Sequence, residues 1–310
     1  MSDRETLQVP WRPIFWLCLV GPAFPQTTTR VSVSSDGAEA DDSSWNPSIS
    51  ADGRYVAFTS RATGLVPCDT NGQDDVFRHD RLTGQMLRVS VSSTGVEADG
   101  PSGSAHVSDD GRFVCFASSA RTLVAGFDNA LAQAYIHDCE TGETLALTAS
   151  STGEQGNGDT IDPRSSSDGR FVIFASDSSN LVPGDTNNHT DTFVLDRQTG
   201  TMTRISLNYW GTQSAGFSRS GAISSDGRYA AFMSYSTDLV AGDTTEGVEV
   251  FLRDLRQAHT TRVCLSSSGE PANHSCTNSD ISLDGRYVVF RSMASNLGAN
   301  DTNYRADVFV

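Results

Sequence analysis

The chain has 310 residues, 37% of them hydrophobic, and 38 acidic against 22 basic side chains leave a formal charge of −16. So acidic a surface repels phosphate backbones and anionic headgroups, and nucleic acid is not an expected partner. After residue 25 the apolar runs are strand-sized, far short of the roughly 20 residues of a membrane helix, so the mature chain should lack a span.

The first 26 residues differ in kind from the rest. Ile14 to Val20 is a short apolar run behind Arg4 and Arg12, followed by Gly21, Pro22 and the small Ala23. That order predicts an export signal peptide, with a disordered leader as the alternative, and a secreted or periplasmic protein. Six cysteines, at Cys18, Cys68, Cys115, Cys139, Cys264 and Cys276, match neither zinc spacing nor a disulfide framework and read as free thiols.

Thr27 to Ser35 (TTTRVSVSS) alternates polar and β-branched residues, which predicts a strand with one wet face. A polar linker leads to a second strand ending at Ile49-Ser50. Asp52-Gly53 then predicts a tight type I′ hairpin, because such turns need positive φ at both central residues. The next strand, Tyr55-Val56-Ala57-Phe58, is apolar on both faces and must be covered on both. After a loop from about residue 61 to 74 comes a strand at Val76-Phe77, closed by the turn Asp80-Arg81-Leu82-Thr83-Gly84.

This whole phrase recurs. Asp52, Asp110, Asp168, Asp226 and Asp284 each precede Gly-Arg at intervals of 58 residues (110 − 52, 168 − 110, 226 − 168, 284 − 226). A period without insertion or deletion means stacked supersecondary units, and four antiparallel strands per unit describe a β-propeller blade. The expected fold is therefore all-β, a five-bladed β-propeller of four-stranded antiparallel blades over 27–310. The phenylalanine fourth in each two-faced strand (Phe58, Phe116, Phe174, Phe232, Phe290) should pack between neighbouring blades. Because Val310 falls inside the third strand of the last unit, Thr27 to Ser35 is expected to pair there and close the ring, the alternative being a truncated chain from a larger ring, which would also end mid-blade.

The phrase S-x-D-G-R-aromatic-hydrophobic-hydrophobic-Phe, with the following aromatic strand and D-x-x-T-G turn, resembles the propeller repeat of the TolB-like family, a WD-repeat-like propeller. The resemblance covers 27–310 and implies a bacterial cell-envelope or secreted protein that binds protein partners and does no chemistry. This chain departs from it in its long period, its five units where six are common, and the lack of a companion domain.

Chemistry is looked for in the long second-to-third-strand loops. Asp69, Asn71 and Asp75 recur as Asp185, Asn187 and Asp191 and as Asp301, Asn303 and Asp307. Oxygens at offsets 0, 2 and 6 around a turn could supply part of a Ca²⁺ shell, or could simply bond the loop's own backbone. The second blade has Phe127 and Gln133 instead, and the fourth keeps Asp243 and Glu249 but has Thr245 for Asn. The functional expectation is a monomeric, non-enzymatic binding scaffold with a protein or glycan partner on the long-loop face. The alternative is a carbohydrate-active hydrolase or lyase in the central funnel, where Trp45, Asp162 and Arg219 differ between units.

Overall fold

A computed structural model describes residues 27–310 apart from 244, 246, 300 and 304, so the expected export signal lies outside the described residues. The chain divides after Arg30 into two units, of which the second, Val31–Val310, is the body of the protein.

The body is a five-bladed β-propeller. Blade 1 is β1 (Ser44–Ile49), β2 (Tyr55–Ser60), β3 (Asp75–Asp80) and β4 (Met86–Arg88), paired antiparallel in that order. Blade 2 is β5 (Ser102–Val107) to β8 (Thr144–Ala146) through β6 (Phe113–Ser118) and β7 (Gln133–Asp138). Blade 3 runs from β9 (Thr160–Ser165) through β10 (Phe171–Ser176) and β11 (Asp191–Asp196) to β12 (Thr201–Arg204). Blade 4 comprises β13 (Ser218–Ile223), β14 (Tyr229–Ser234), β15 (Glu249–Asp254) and β16 (His259–Arg262). Among the described residues blade 5 has three strands, β17 (Cys276–Ile281), β18 (Val288–Ser292) and β19 (Asp307–Phe309).

The repeat phrase is a structural device. In blade 1 the Ser50 Oγ donates to Asp52 Oδ1 (2.6 Å) and accepts from Tyr55 N–H, while Asp52 accepts from Arg54 N–H. Arg54 then reaches across to Asp80 with two parallel bonds (3.0 and 2.7 Å), tying the first hairpin to the D-x-x-T-G turn; Arg112–Asp138 and Arg170–Asp196 repeat the fork. The expected type I′ turn is corrected: Gly53 has positive φ (71°) but Asp52 does not, and the Ser50 N–H bond to Tyr55 O makes a loop of 51–54. The Ser–Asp–Arg bonds stabilise that wider loop.

Four of the five glycines of the phrase, Gly111, Gly169, Gly227 and Gly285, sit on the neighbouring blade's aromatic ring. A Cβ on Gly111 would lie 1.9 Å from Tyr55, and one on Gly169, Gly227 or Gly285 would lie 2.4 Å from Phe113, Phe171 or Tyr229. Phe116, Phe174, Phe232 and Phe290 pack against the preceding blade as expected, whereas Phe58 packs within blade 1 and on Val31 and Ala40. Phe116 lies with Ala57, Val76 and Val89 of blade 1, and Phe174 with Cys115, Ala134 and Ile136 of blade 2. Each also stacks on the aromatic opposite it within its blade, as in Phe116–Tyr135 (5.7 Å) and Phe174–Phe193 (5.8 Å).

The fifth interface is different. Val289 and Val308 of blade 5, equivalent to the buried Ala57 and Val76, are exposed, Val308 to 76%, and Ile49 of blade 1 is 57% exposed where Val107 of blade 2 is buried. Gly53 meets its own blade's Arg81 and Ile49 rather than Tyr287. Thr27 to Ser35 does not form the expected strand: Val33 makes an isolated bridge with Glu39, and β18 is the strand partner of β19 among the described residues. Val31 and Ala40 instead pack on Phe58 and Phe77 of blade 1.

Candidate functional site

In blades 1 and 3 the expected cation ligands are brought together around an arginine. In blade 1 the Arg88 guanidinium lies 3.2 Å from Asp69, 3.7 Å from Asp75 and 2.9 Å from Glu97. Asn71 accepts from Gln73 N–H (2.8 Å) and donates through Nδ2 to Asp75 (2.8 Å) and Ala98 O (2.9 Å), so its amide latches the loop. Blade 3 repeats this: Arg204 lies 3.4 Å from Asp185 and 3.2 Å from Asp191, and Asn187 donates to Ser214 O (3.0 Å). In blade 4 Arg262 bonds Asp243 and lies 3.3 Å from Glu249.

In blades 1, 3 and 4 a guanidinium thus lies among the acids of the loop. Blade 2 makes the dependence explicit, because Phe127, Gln133 and Gln155 replace the acids and Ala146 replaces the arginine. The signal was present in the sequence, at a constant offset of 19 residues (88 − 69, 204 − 185, 262 − 243). It was missed because the arginine comes from the outer strand rather than from the loop. In blade 5, Asp301, Asn303 and Asp307 line a shallow pocket of about 320 Å³ beside Phe309, with Asn303 accepting from Arg305 N–H. Among the described residues, no group of three or more His, Cys, Asp or Glu is arranged to hold a metal ion.

Burial shifts these acids. Asp69 is pushed up to about 6 by burial and the charge of Asp75, against the pull of Arg88. Glu249 rises to about 7 through burial and Asp243, opposed by Arg262.

At the axis, the inner strands of all five blades line a cavity of about 520 Å³. Asn46, Ser104, Asp162 and Asn278 hold left-handed φ of 50–54° at equivalent positions, where each inner strand slips register against its neighbour. Two residues on, the wall reads Ser48, His106, Arg164, Ala222 and Asp280. His106 accepts the Ser165 N–H at Nδ1 (3.4 Å), and burial together with the Arg164 charge lowers its pKa to about 4. Of the three expected funnel residues, Asp162 lines this cavity, Trp45 is half-buried in β1 outside its lining, and Arg219 lines a separate pocket between blades 4 and 5.

Aromatic residues break the repeat around blade 4. Tyr209 and Trp210 lie in contact, centroids 3.7 Å apart and rings tilted by 35°, Trp210 being 68% exposed, at a linker tip where other units have Ser35-Asp36, Ser93-Thr94, Ser151-Thr152 and Ser267-Ser268. Tyr209 N–H donates to Asp238 O, which anchors that tip to the long loop of blade 4. Three residues before Asp238, Tyr235 stacks on Phe217 (4.4 Å, 22°).

No protein-family model and no curated protein matches the chain. Among solved structures it is similar to TolB from Acinetobacter baumannii (19% identity, TM-score 0.45, covering 83% of this chain and 53% of that one). A putative TolB from Agrobacterium tumefaciens gives 21% identity and a TM-score of 0.44, covering 70% of this chain and 63% of that one. An oligogalacturonate lyase in complex with manganese gives 13% and 0.50, covering 83% and 60%. The likeness is one of fold. This chain spans about 53 to 63% of the length of those structures.

Proposed function

We propose that the body is an extracytoplasmic, non-enzymatic binding propeller that takes a protein or glycan partner on its long-loop face around blade 4. The observation that carries this reading is the exposed Tyr209–Trp210 pair, set where every other unit has small polar residues. An indole left in water forgoes the stabilisation of burial, and solvent-facing Trp and Tyr are the side chains that most often anchor partners. The arginine latches support the same reading, since loops already held by Arg88, Arg204 and Arg262 lose little entropy when a partner docks. At the loops of blades 1, 3 and 4 the guanidinium supplies the positive charge. The export signal read in residues 1–26 supplies the location, and among the described residues no helix is long and apolar enough to cross a membrane.

The test is a screen of the mature chain against glycan and envelope-protein panels, followed by hydrogen exchange on the complex obtained. Protection is expected over 209–219 and 235–238. Protection confined to the axial cavity, or no binder on either panel, contradicts the proposal.

A further inference from the structure

We infer that the pocket between blades 4 and 5 on the long-loop face is a subsite for a carboxylate-bearing pyranose, an acidic sugar unit of a glycan. This deepens the binding reading above and rests on it. The pocket has a volume of about 230 Å³, and its wall includes Phe217, Arg219, Met233, Tyr235, Thr277 and Asn278. Phe217 and Tyr235 immediately flank β13 and β14 at the end where the long loop leaves, so the pocket opens on that face.

The wall has no counterpart elsewhere in the ring. Where blade 4 has Phe217 the other units have Ser43, Pro101, Asp159 and Ser275, and where it has Tyr235 they have Arg61, Ser119, Asp177 and Met293. Arg219 stands in for Trp45, Gly103, Ile161 and Thr277. All three positions vary from unit to unit, so scaffold packing does not fix them, and in blade 4 they bring two aromatic rings and a guanidinium to one cavity.

Their chemistry specifies the occupant. The stacked rings, 4.4 Å apart and nearly parallel, offer an apolar platform with a negative face, and Tyr235 is 49% exposed. The C–H groups on one side of a pyranose carry partial positive charge and match such a face. The exposed Arg219 has no ion-pair partner among the described residues, in a chain of net charge −16 whose latch arginines are paired. A planar guanidinium with free donors beside an aromatic platform selects a carboxylate, which it can bind through two bonds. Asn278 and Thr277 supply polar groups for ring hydroxyls, and the Asn278 N–H donates to the weak acceptor Met233 Sδ (3.2 Å), so a hydroxyl oxygen would be a better partner.

The experiment is calorimetric titration of the mature chain with a hexuronate tetrasaccharide and with its neutral hexose counterpart. The acidic ligand should bind at least about tenfold more tightly, the worth of one charge-assisted hydrogen-bond pair. Arg219→Gln should erase that preference with unchanged melting, and Tyr235→Ala should weaken both ligands. Equal affinity for the two sugars in the wild type, or a preference that survives Arg219→Gln, overturns the assignment. If a protein partner binds and is lost on changing Tyr209 and Trp210 while neither sugar binds, the acidic-sugar subsite is wrong and the binding face stands. If nothing binds that face, both fall.

Discussion

Arg88, Arg204 and Arg262 decide how the acidic loops behave. Each holds two or three carboxylates that would otherwise repel one another in a buried site, and removing one partner of such a cluster typically costs about 3–5 kcal/mol. Arg88→Ala is expected to destabilise the fold by that amount in chemical denaturation, and chelators should leave the wild-type melting temperature unchanged. The aspartates were legible in the sequence, and so was their grouping. Their counter-charge was not, because loop composition says nothing about which outer-strand side chain bends over it.

The same residues set a pH dependence. A carboxyl whose folded pKa lies above its unfolded value takes up a proton on folding, so its stabilisation is full below the unfolded pKa and is lost as pH rises through the folded one. Glu249, raised to about 7 by burial, acts in this sense between about 4.5 and 7, and Asp69, at about 6, between 3.8 and 6. Asp196 works in the opposite sense, because its bonds to Arg170 lower its pKa to about 2, and its contribution is lost as pH falls below 3.8. Thermal melts should therefore peak at weakly acid pH and decline toward pH 7.5. Glu249→Gln should flatten the decline between pH 5 and 7; an unchanged slope would contradict the assignment to Glu249.

At the scale of elements, the hairpins and two-faced strands were readable because the repeat presents the same alternation five times. The turn type was not, since Asp-Gly alone cannot show that Ser50 and Arg54 widen the loop through Asp52. The glycine of that turn offers an internal comparison. Gly169→Ala must push a methyl group into the Phe113 ring as well as hold positive φ, whereas Gly53→Ala meets nothing closer than 3.6 Å. Gly53→Ala should cost about 1–2 kcal/mol, the left-handed penalty alone. Gly169→Ala should cost clearly more, by the overpacking it adds. Equal losses in urea titrations would mean that Tyr287 packs under Gly53 after all.

For the whole molecule, periodicity made the blade count and the strand order legible without any reference to packing. It could not settle the join. Thr27 to Ser35 carries the same sequence pattern as the outer strands, yet its Val31 packs on blade 1, the fifth sheet has three strands among the described residues, and Val308 faces water. Pattern fixes what a segment can pair with, while chain length and competing neighbours fix where it lies. The proposed division of labour follows the same periodicity: residues that obey the repeat build the ring, and those that differ at blade 4 are the ones proposed to bind. Returning them to repeat-like residues, in a variant with Tyr209→Ser, Trp210→Thr, Phe217→Ser and Tyr235→Ser, separates the two roles. The decisive measurement is its binding isotherm for the partner that the wild-type chain captures, taken beside its melting curve. An intact cooperative melt is expected with binding weakened at least tenfold, about 1.4 kcal/mol; wild-type affinity in a folded variant would contradict a binding role for these residues.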